Sequence, residues 1–97
     1  MTKSELIDTV AHKVERLTRA DVETAVNTIF KSMAQSLLQE ERIEIRGFGS
    51  FVVRHRKARD GRNPKTGDSV AIPERRTPFF TVGKELRERV NSGRSKL

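Results

Sequence analysis

The residues best suited to binding chemistry lie in one decapeptide, Arg59-Asp60-Gly61-Arg62-Asn63-Pro64-Lys65-Thr66-Gly67-Asp68. Gly61 and Gly67 permit the positive φ that a chain reversal requires, and a residue before proline favours an extended or turn conformation. We therefore predict that this stretch is the tip of a two-stranded arm and not a strand interior. Its apolar proline ring, flanked by Arg62 and Lys65, forms a wedge between cations that suits a step between stacked bases.

The arm behind this tip is strongly basic. Residues 54–76 contain eight cations against only three carboxylates, Asp60, Asp68 and Glu74. The cations are Arg54, Arg56, Lys57, Arg59, Arg62, Lys65, Arg75 and Arg76. Extended, residues 52 to 63 would span roughly 35 Å, long enough to reach around a duplex. Because alternate side chains of a strand point to opposite faces, we expect about four of the six cations outside the tip to touch a ligand.

Charge is distributed unevenly along the 97 residues, whose formal net charge is +7. Residues 1–40 hold five basic and six acidic groups, a net of −1, whereas residues 41–97 hold 15 basic and seven acidic groups, a net of +8. This clustering indicates a polyanionic ligand for the C-terminal half, and it is not what a basic surface serving only solubility requires. Affinity for a polyanion should fall steeply with salt, because condensed counterions are released on binding.

Composition excludes several classes of protein. The chain has no cysteine, so it has neither disulfides nor thiolate metal sites, and no apolar run approaches the roughly 20 residues of a membrane span. We expect a soluble intracellular protein without a signal peptide. Only 34% of the residues are hydrophobic, so a monomer would have a thin core and we expect an oligomer. His12 and His55 have no neighbouring ligand residues, so neither a metal nor another cofactor is predicted.

The N-terminal part predicts a helical hairpin. Thr2 with Glu5, and Thr18 with Asp21, have the spacing of capping boxes that start helices. Apolar residues follow each box at helical spacing: Leu6, Ile7, Val10, Ala11, Val14 and Leu17, then Val22, Ala25, Val26, Ile29, Phe30, Met33, Ala34, Leu37 and Leu38. We expect these faces to form the core and a dimer interface.

From Arg42 onward the period changes to two, which predicts strands. A first strand around Ile43 and Ile45 should turn at Gly47-Phe48-Gly49 into a second strand, and residues 69–82 should return with interruptions or edge positions at Pro73 and Pro78. Phe79 and Phe80 are both assigned to the core. A short basic helix is expected from Glu85 to about Asn91, and we predict one domain over residues 1–91, with its arm at 54–76 and a flexible tail at 92–97.

Other candidate anion contacts lie near helix starts and tight turns. Lys3 and Lys84 stand beside the first and last helix, where cationic side chains combine with free amide donors. The amides of Gly47 and its neighbours and the Ser50 hydroxyl are further candidates, as is Arg87 on the last helix. Glu44 and Arg46, two residues apart, should share one face of the first strand.

Three separated motifs resemble one family. They are Arg42-Ile43-Glu44-Ile45-Arg46-Gly47-Phe48-Gly49-Ser50-Phe51, then residues 61–67, then Gly83-Lys84-Glu85-Leu86-Arg87, and together they resemble the bacterial DNA-bending proteins of the HU and integration host factor family. The resemblance implies an α+β fold: an intertwined dimer with a helical base, a three-stranded antiparallel β-saddle, a long β-ribbon arm and a short C-terminal helix. It also implies minor-groove wrapping with intercalation of Pro64, since this family is itself a known example of wedge-inserting proteins. Asn63 and Thr66, beside the wedge, are included among the DNA contacts.

Within the family, the chain is most similar to beta subunits of integration host factor. There the residue matching Arg46 enters the minor groove and the one matching Glu44 orients it, so the resemblance implies some sequence preference. The alternative is a surface ion pair between Glu44 and Arg46, contributing about 0 to 1 kcal/mol. Ile72-Pro73 resembles HU instead, and Arg75-Arg76 resembles the alpha subunit, so both a homodimer and a heterodimer with a paralogous subunit stay open.

The favoured function is therefore architectural binding of double-stranded DNA in a cytoplasmic nucleoid, with no enzymatic activity, no membrane partner and no small-molecule substrate. The nearest alternative is nucleoid compaction of the HU type, with little sequence preference. An RNA-binding module should carry stacking aromatics, and residues 54–76 contain none. A nuclease would require clustered carboxylates or a positioned base, whereas those of the arm are scattered.

Overall fold

The computed structural model describes residues 1–93 and contains three helices and five strands. In chain order they are α1 (Lys3–Lys13), α2 (Arg19–Leu38), β1 (Ile43–Ile45), β2 (Gly49–Arg56), β3 (Arg59–Arg62), β4 (Ser69–Ile72), β5 (Arg75–Val82) and α3 (Lys84–Ser92). Two helices followed by antiparallel strands and a short helix confirm the α+β class predicted for one chain. Of the predicted tail, Ser92 closes α3, Gly93 caps it, and residues 94–97 lie outside the described residues.

The chain divides into two compact units, Met1–Gln35 and a second unit that begins at Ser36, within α2. In the first unit, both predicted helix starts are present. Thr2 Oγ1 accepts the Glu5 N–H at 3.1 Å. The box at the start of α2 is reciprocal, with Asp21 N–H donating to Thr18 Oγ1 at 3.1 Å and Thr18 N–H donating to Asp21 Oδ2 at 3.3 Å. Local capping chemistry therefore positions both helices.

Helix α1 is shorter than its apolar spacing predicted. It ends at Lys13, and Val14 has φ −116° and ψ 82°, outside the helical region, although its N–H still donates to Val10 O. Leu17, which the pattern assigned to the helix, lies in the following turn and is 44% exposed. The prediction was wrong here because the chain must leave the helix before Thr18 can cap α2.

The core of the first unit is small. Ile7, Val22 and Val26 are the buried apolar residues among positions 1–93, and Leu6 and Val10 pack partly buried against them. Farther along α2, Ile29 is 56% exposed and Phe30 is 48% exposed. Part of the apolar stripe of α2 is therefore uncovered.

Helix α2 ends in the second unit with an unusual residue in the left-handed region. The Glu41 N–H donates to Ser36 O at 2.9 Å and the Glu40 N–H donates to Leu37 O at 3.0 Å, the pattern of a Schellman cap. Glu40 occupies the position that glycine usually takes, with φ 59°. A residue with a side chain is less stable at that φ by on the order of 1 kcal/mol than glycine would be. The acidic group at the end of α2 is therefore held in an unfavourable backbone conformation.

Three strands form an antiparallel sheet in the order β1-β2-β5. Ile43 pairs with Phe51, and the β2–β5 ladder runs from the pair Gly49–Val82 to the pair Arg56–Arg75. Pro78 lies within β5 opposite Val53, and its missing N–H is tolerated because β5 forms an edge of this sheet as described. The predicted turn from β1 to β2 is present, closed by the Phe48 N–H donating to Ile45 O at 3.0 Å.

Beyond this sheet the arm continues as a separate hairpin of β3 and β4, which pair from Arg59–Ile72 to Arg62–Ser69. The ladder is interrupted between Arg56 and Arg59 on one side and at Pro73-Glu74 on the other, where proline offers no N–H. The interruption that the sequence predicted at Pro73 is therefore confirmed.

The conformation predicted for Gly61 was wrong. This glycine was predicted to provide positive φ, but it lies inside β3 opposite Val70, and only Gly67 of the two has positive φ, at 75°. A Cβ at Gly61 would lie 2.6 Å from Ile72 Cδ1, so the Ile72 side chain packs over the glycine and would have to shift for a larger residue. The reversal itself is confined to residues 63–68.

Helix α3 begins after Gly83 and ends at Ser92, with Gly93 at φ 66° as its left-handed cap. Among the residues that the structure describes, no helix combines the length and apolar character needed to cross a bilayer.

Candidate nucleic-acid interface

Strand alternation sorts the side chains of the three-stranded sheet into two faces. We call one the cationic face; it carries Glu44, Ser50, Val52, Arg54, Arg56, Arg75, Thr77, Phe79 and Thr81. We call the other the aromatic face; it carries Ile43, Ile45, Phe51, Val53, His55, Arg76, Pro78, Phe80 and Val82. The register therefore gathers five of the predicted contacts, Glu44, Ser50, Arg54, Arg56 and Arg75, on one surface.

The aromatic face is organised around Phe80. Its ring centroid lies 4.8 Å from that of Phe51 and 5.5 Å from that of Phe48, both in tilted geometries that aromatic pairs favour. Phe79 was assigned to the same core, and this prediction was wrong, because neighbouring residues of a strand point to opposite faces. Phe79 lies on the cationic face, 39% exposed, with the Arg54 guanidinium carbon 3.4 Å from its ring centroid.

Arg76 is separated from the other arm cations. It lies on the aromatic face, where its Nη2 donates to Leu38 O at 2.8 Å and approaches Glu40 Oε2 at 3.6 Å. His55, its cross-strand partner, also contacts the Glu40 carboxylate. Sequence reasoning did not identify Glu40 as part of this arrangement. DNA contact by Arg76 stays a prediction, and it must compete with these intramolecular acceptors.

The remaining arm cations have no such partner. Among residues 1–93, no ion pair involves the following seven: Arg54, Arg56, Lys57, Arg59, Arg62, Lys65 and Arg75. All seven are exposed, and Arg54 also lies over the ring of Phe79. Lys57 stands in the ladder interruption, while Arg59 and Arg62 point to opposite faces of the β3–β4 hairpin. Unpaired cations at this density leave a strong positive potential for an anionic ligand.

The arm tip holds Pro64 in a defined turn. The Asn63 N–H donates to Asp68 O at 2.8 Å, and the Gly67 N–H returns to Asn63 O at 2.7 Å. The Asn63 side chain accepts the Lys65 N–H at 2.9 Å, which closes an Asx turn around the proline. Thr66 Oγ1 similarly accepts the Asp68 N–H at 3.3 Å. Asn63 and Thr66 therefore order the turn, and the proline ring is exposed at its apex.

At the other end of the sheet, several predicted contacts share a shallow concavity of about 470 Å³. It is lined by Glu44, Ile45, Arg46, Gly47, Gly49, Ser50, Thr81, Val82 and Gly83. Arg46 was predicted to lie on the first strand, and this prediction was wrong. Strand β1 ends at Ile45, and Arg46 begins the turn. It still lines the same concavity as Glu44, and no ion pair joins the two within the described part of the chain. Arg42 Nη2 donates to Ser50 Oγ at 3.4 Å.

The start of α3 adjoins this concavity through Gly83, whose N–H donates to Phe48 O at 2.8 Å. No side chain caps α3, and Lys84 and Arg87 are exposed along its first turn. Lys3, the corresponding residue of the first unit, is placed differently. Its Nζ donates to Asn27 Oδ1 at 2.8 Å, so it links α1 to α2. Lys84 is thus the more available of the two cations predicted beside helix starts.

No group of three or more His, Asp or Glu side chains suited to holding a metal ion occurs among residues 1–93. The interface consists of cations, one apolar apex and backbone amides. Such groups are the ones that contact phosphates and grooves in protein–DNA complexes.

Comparison with known proteins also indicates a DNA-binding protein. The family model for bacterial DNA-binding proteins matches residues 1–91. The chain is 57% identical over 94 residues to integration host factor subunit beta of Alkalilimnicola ehrlichii, covering 97% of this chain and 94% of that protein. It is 56% identical over 96 residues to the subunit beta of Marinobacter nauticus, covering 99% and 98%.

Solved structures agree in fold. A cocrystal structure of Anabaena HU with DNA has a TM-score of 0.82 at 39% identity, covering 93% of this chain and 97% of the other. HU from Thermotoga maritima has a TM-score of 0.63 at 31% identity, covering 93% and 98%. The chain therefore belongs to the bacterial DNA-binding protein family of HU and integration host factor, whose members are architectural proteins and not enzymes.

Proposed function

We propose that the protein bends double-stranded DNA in the bacterial nucleoid by laying its arm along the minor groove and inserting Pro64 between two base pairs. The observation that carries this proposal is the exposed proline at the apex of a turn closed by Asn63 and Asp68, at the end of a ribbon of unpaired cations. Unstacking a base step costs roughly a few kcal/mol, a figure general to wedge-inserting proteins, among which this family is counted. Phosphate contacts along the bent duplex offset that cost.

The other predicted contacts have defined tasks in this proposal. Arg62 and Lys65 anchor the wedge on either side, and Arg54, Arg56, Lys57, Arg59 and Arg75 neutralise phosphates along the arm. Lys84, Arg87, Gly47 and Ser50 meet flanking DNA at the start of α3, while Lys3 does so from α1 only if it releases Asn27. Arg46 reads the minor groove beside Glu44, which supplies a preference for certain sequences or groove widths.

We further propose that the functional form is a dimer, formed either with a second copy or with a paralogous alpha-type subunit. The support is the uncovered apolar surface: Ile29, Phe30 and Leu38 on α2 are 48–67% exposed, and Phe48 and Phe80 remain partly exposed on the sheet. Light-scattering mass measured on the chain alone should give twice its 11.1 kDa if it pairs with itself. A monomeric mass that doubles only on addition of the alpha-type paralogue would establish the heterodimer.

Bending is tested by energy transfer between dyes at the two ends of a DNA duplex. Pro64→Ala should lose most of the increase in transfer while binding persists, because the cations that hold the duplex are unchanged. Arg46→Ala should keep the bend but bind a preferred and a scrambled duplex equally. The proposal fails if wild-type protein binds without raising the transfer, or if Pro64→Ala bends DNA as wild type does.

The second candidate is nonspecific compaction of the HU type, favoured by the match to the HU–DNA cocrystal structure. It predicts that wild type bends both duplexes equally and that Arg46→Ala changes nothing.

A further inference from the structure

We propose that Phe79 is a positioning residue for DNA binding, which holds Arg54 flat against its ring so that the guanidinium is already oriented toward the duplex. The inference rests on the proposed function and concerns one pair on the cationic face. The Arg54 guanidinium carbon lies 3.4 Å from the Phe79 ring centroid, the one cation placed over an aromatic ring among residues 1–93.

The position of Phe79 is not explained by the core. The two rings are about equally exposed, Phe79 at 39% and Phe80 at 38%, and they differ in their contacts: Phe80 contacts Phe48 and Phe51 on the aromatic face, whereas Phe79 pairs across the ladder with Val52 on the cationic face. Val52 is the one aliphatic side chain beside Phe79 on this face, whose other members are arginine, serine, threonine and Glu44, so the ring has little apolar surface to pack against. Its one distinctive contact is with Arg54, which lies diagonally across the strands.

Stacking leaves the donors of Arg54 free. A guanidinium is planar and carries five N–H donors in that plane, so a ring against its face blocks none of them. Arg76, by contrast, donates a hydrogen bond to Leu38 O and forms an ion pair with the Glu40 carboxylate. The two arginines lie on neighbouring strands of the same ladder, and the faces they occupy decide which one is available to an anion.

The benefit of stacking is pre-organisation. A free arginine side chain has many rotamers, and binding a phosphate or groove acceptor removes that freedom at the expense of affinity. Arg54 is restricted in advance by Phe79, in the part of the arm nearest the sheet. A cation–π contact at an exposed site corresponds to a change in affinity of about two- to fivefold.

The test is a double-mutant cycle on the full-length protein, in the oligomer that wild type forms, measuring DNA duplex affinity across a salt series. Phe79→Leu should weaken binding about two- to fivefold and leave the salt slope unchanged, because it removes no charge. Phe79→Tyr, which keeps the ring, should restore wild-type affinity. Arg54→Gln should reduce the salt slope by about one.

Coupling distinguishes positioning from a general structural role. In the Arg54→Gln background, Phe79→Leu should have no further effect on affinity, whereas in the matched background Arg56→Gln it should cost the same factor as in wild type. Arg56 shares the cationic face but lies over no aromatic ring in the described chain. Arg54→Lys changes the cation of the same pair: it keeps the charge but not the planar group. It should also lose affinity, with an unchanged salt slope.

Thermal unfolding of every variant separates loss of folding from loss of positioning, and Arg54→Lys decides the matter if Phe79→Leu is unstable. The inference is overturned if Phe79→Leu binds as wild type does, or if it weakens binding equally with and without Arg54. Wild-type protein that binds no duplex would refute the proposed function itself, and this inference with it. Wild-type binding and bending with an inert Phe79 would refute this inference alone.

Discussion

Two antiparallel ladders make up the arm, and they are stabilised in different ways. We call residues 53–56 with 75–78 the arm root, and residues 59–72 the arm hairpin. The root continues a three-stranded sheet, is adjoined by the aromatic cluster around Phe80, and is connected to the end of α2 through Glu40. The hairpin has two strands, the Gly61–Ile72 packing contact, and a turn held by its own hydrogen bonds.

The two ladders differ in how far their cations are ordered before a ligand binds. Two of the four arginines of the root are oriented by the protein, Arg54 over Phe79 and Arg76 by Leu38 O and Glu40, whereas Arg56 and Arg75 are unpaired among the described residues. Cations of the hairpin are unpaired and depend on a polyanion for order, since a two-stranded ribbon alone is marginally stable in water. We therefore expect the root to be rigid and the hairpin to change conformation when a duplex binds.

The largest expected contrast is in stability. Phe80→Ala removes the ring that contacts Phe48 and Phe51, and should lower the free energy of unfolding by about 2 to 4 kcal/mol. The matched control is Val70→Ala in the arm hairpin, where the side chain is 45% exposed and the cost should stay below about 1 kcal/mol. Denaturant unfolding measures both. Equal costs would show that the two ladders are stabilised alike, contrary to the comparison.

The next contrast is in amide exchange of the free protein. Amides of residues 59–72 should exchange on the order of a hundredfold faster than those of residues 49–53, because the hairpin can open locally without disturbing the sheet. Addition of a DNA duplex should slow exchange in the hairpin far more than in the sheet. Protection of residues 56–70 in the free protein as strong as that of residues 43–53 would contradict a mobile arm.

The smallest contrast concerns Glu40, which occupies a left-handed position at φ 59°. Glu40→Ala removes the contacts to His55 and Arg76 but keeps the unfavourable φ, whereas Glu40→Gly removes both. Glycine should therefore make the protein about 1 kcal/mol more stable than alanine does. Both variants should speed amide exchange at the arm root and leave residues 59–72 unchanged. Faster exchange in the hairpin would show that Glu40 orders the whole arm and not its root alone.

Much of the fold follows from local sequence rules. The capping box of Thr18 and Asp21 starts α2, the change of period at Ile43 starts the sheet, and Pro73 interrupts the arm ladder. Each of these depends on residues close together in the chain, where propensity and hydrogen bonding act without distant partners. The extent of α1 could not be obtained in this way, because the apolar spacing continues to Leu17 although the backbone has already turned.

The candidate site is divided in the same manner. The basic arm, the proline between Arg62 and Lys65, and the membership of a DNA-binding family could be inferred from the printed residues. Strict alternation of side chains along a strand is enough to place Phe79 and Phe80 on opposite faces. The packing of Gly61 could not be inferred, since the side chain that lies against it, Ile72, belongs to the opposite strand.

The α+β class, the placement of charge and the proline of the arm tip could be read from the residues alone, because they depend on residue type and short-range spacing. Which cations are free of intramolecular partners depends instead on contacts between distant segments. Arg54 and Arg76 belong to one basic series in the chain, yet one lies over Phe79 while the other reaches the end of α2. Register between distant segments sets those partners, and the partners determine how freely each guanidinium can meet a phosphate.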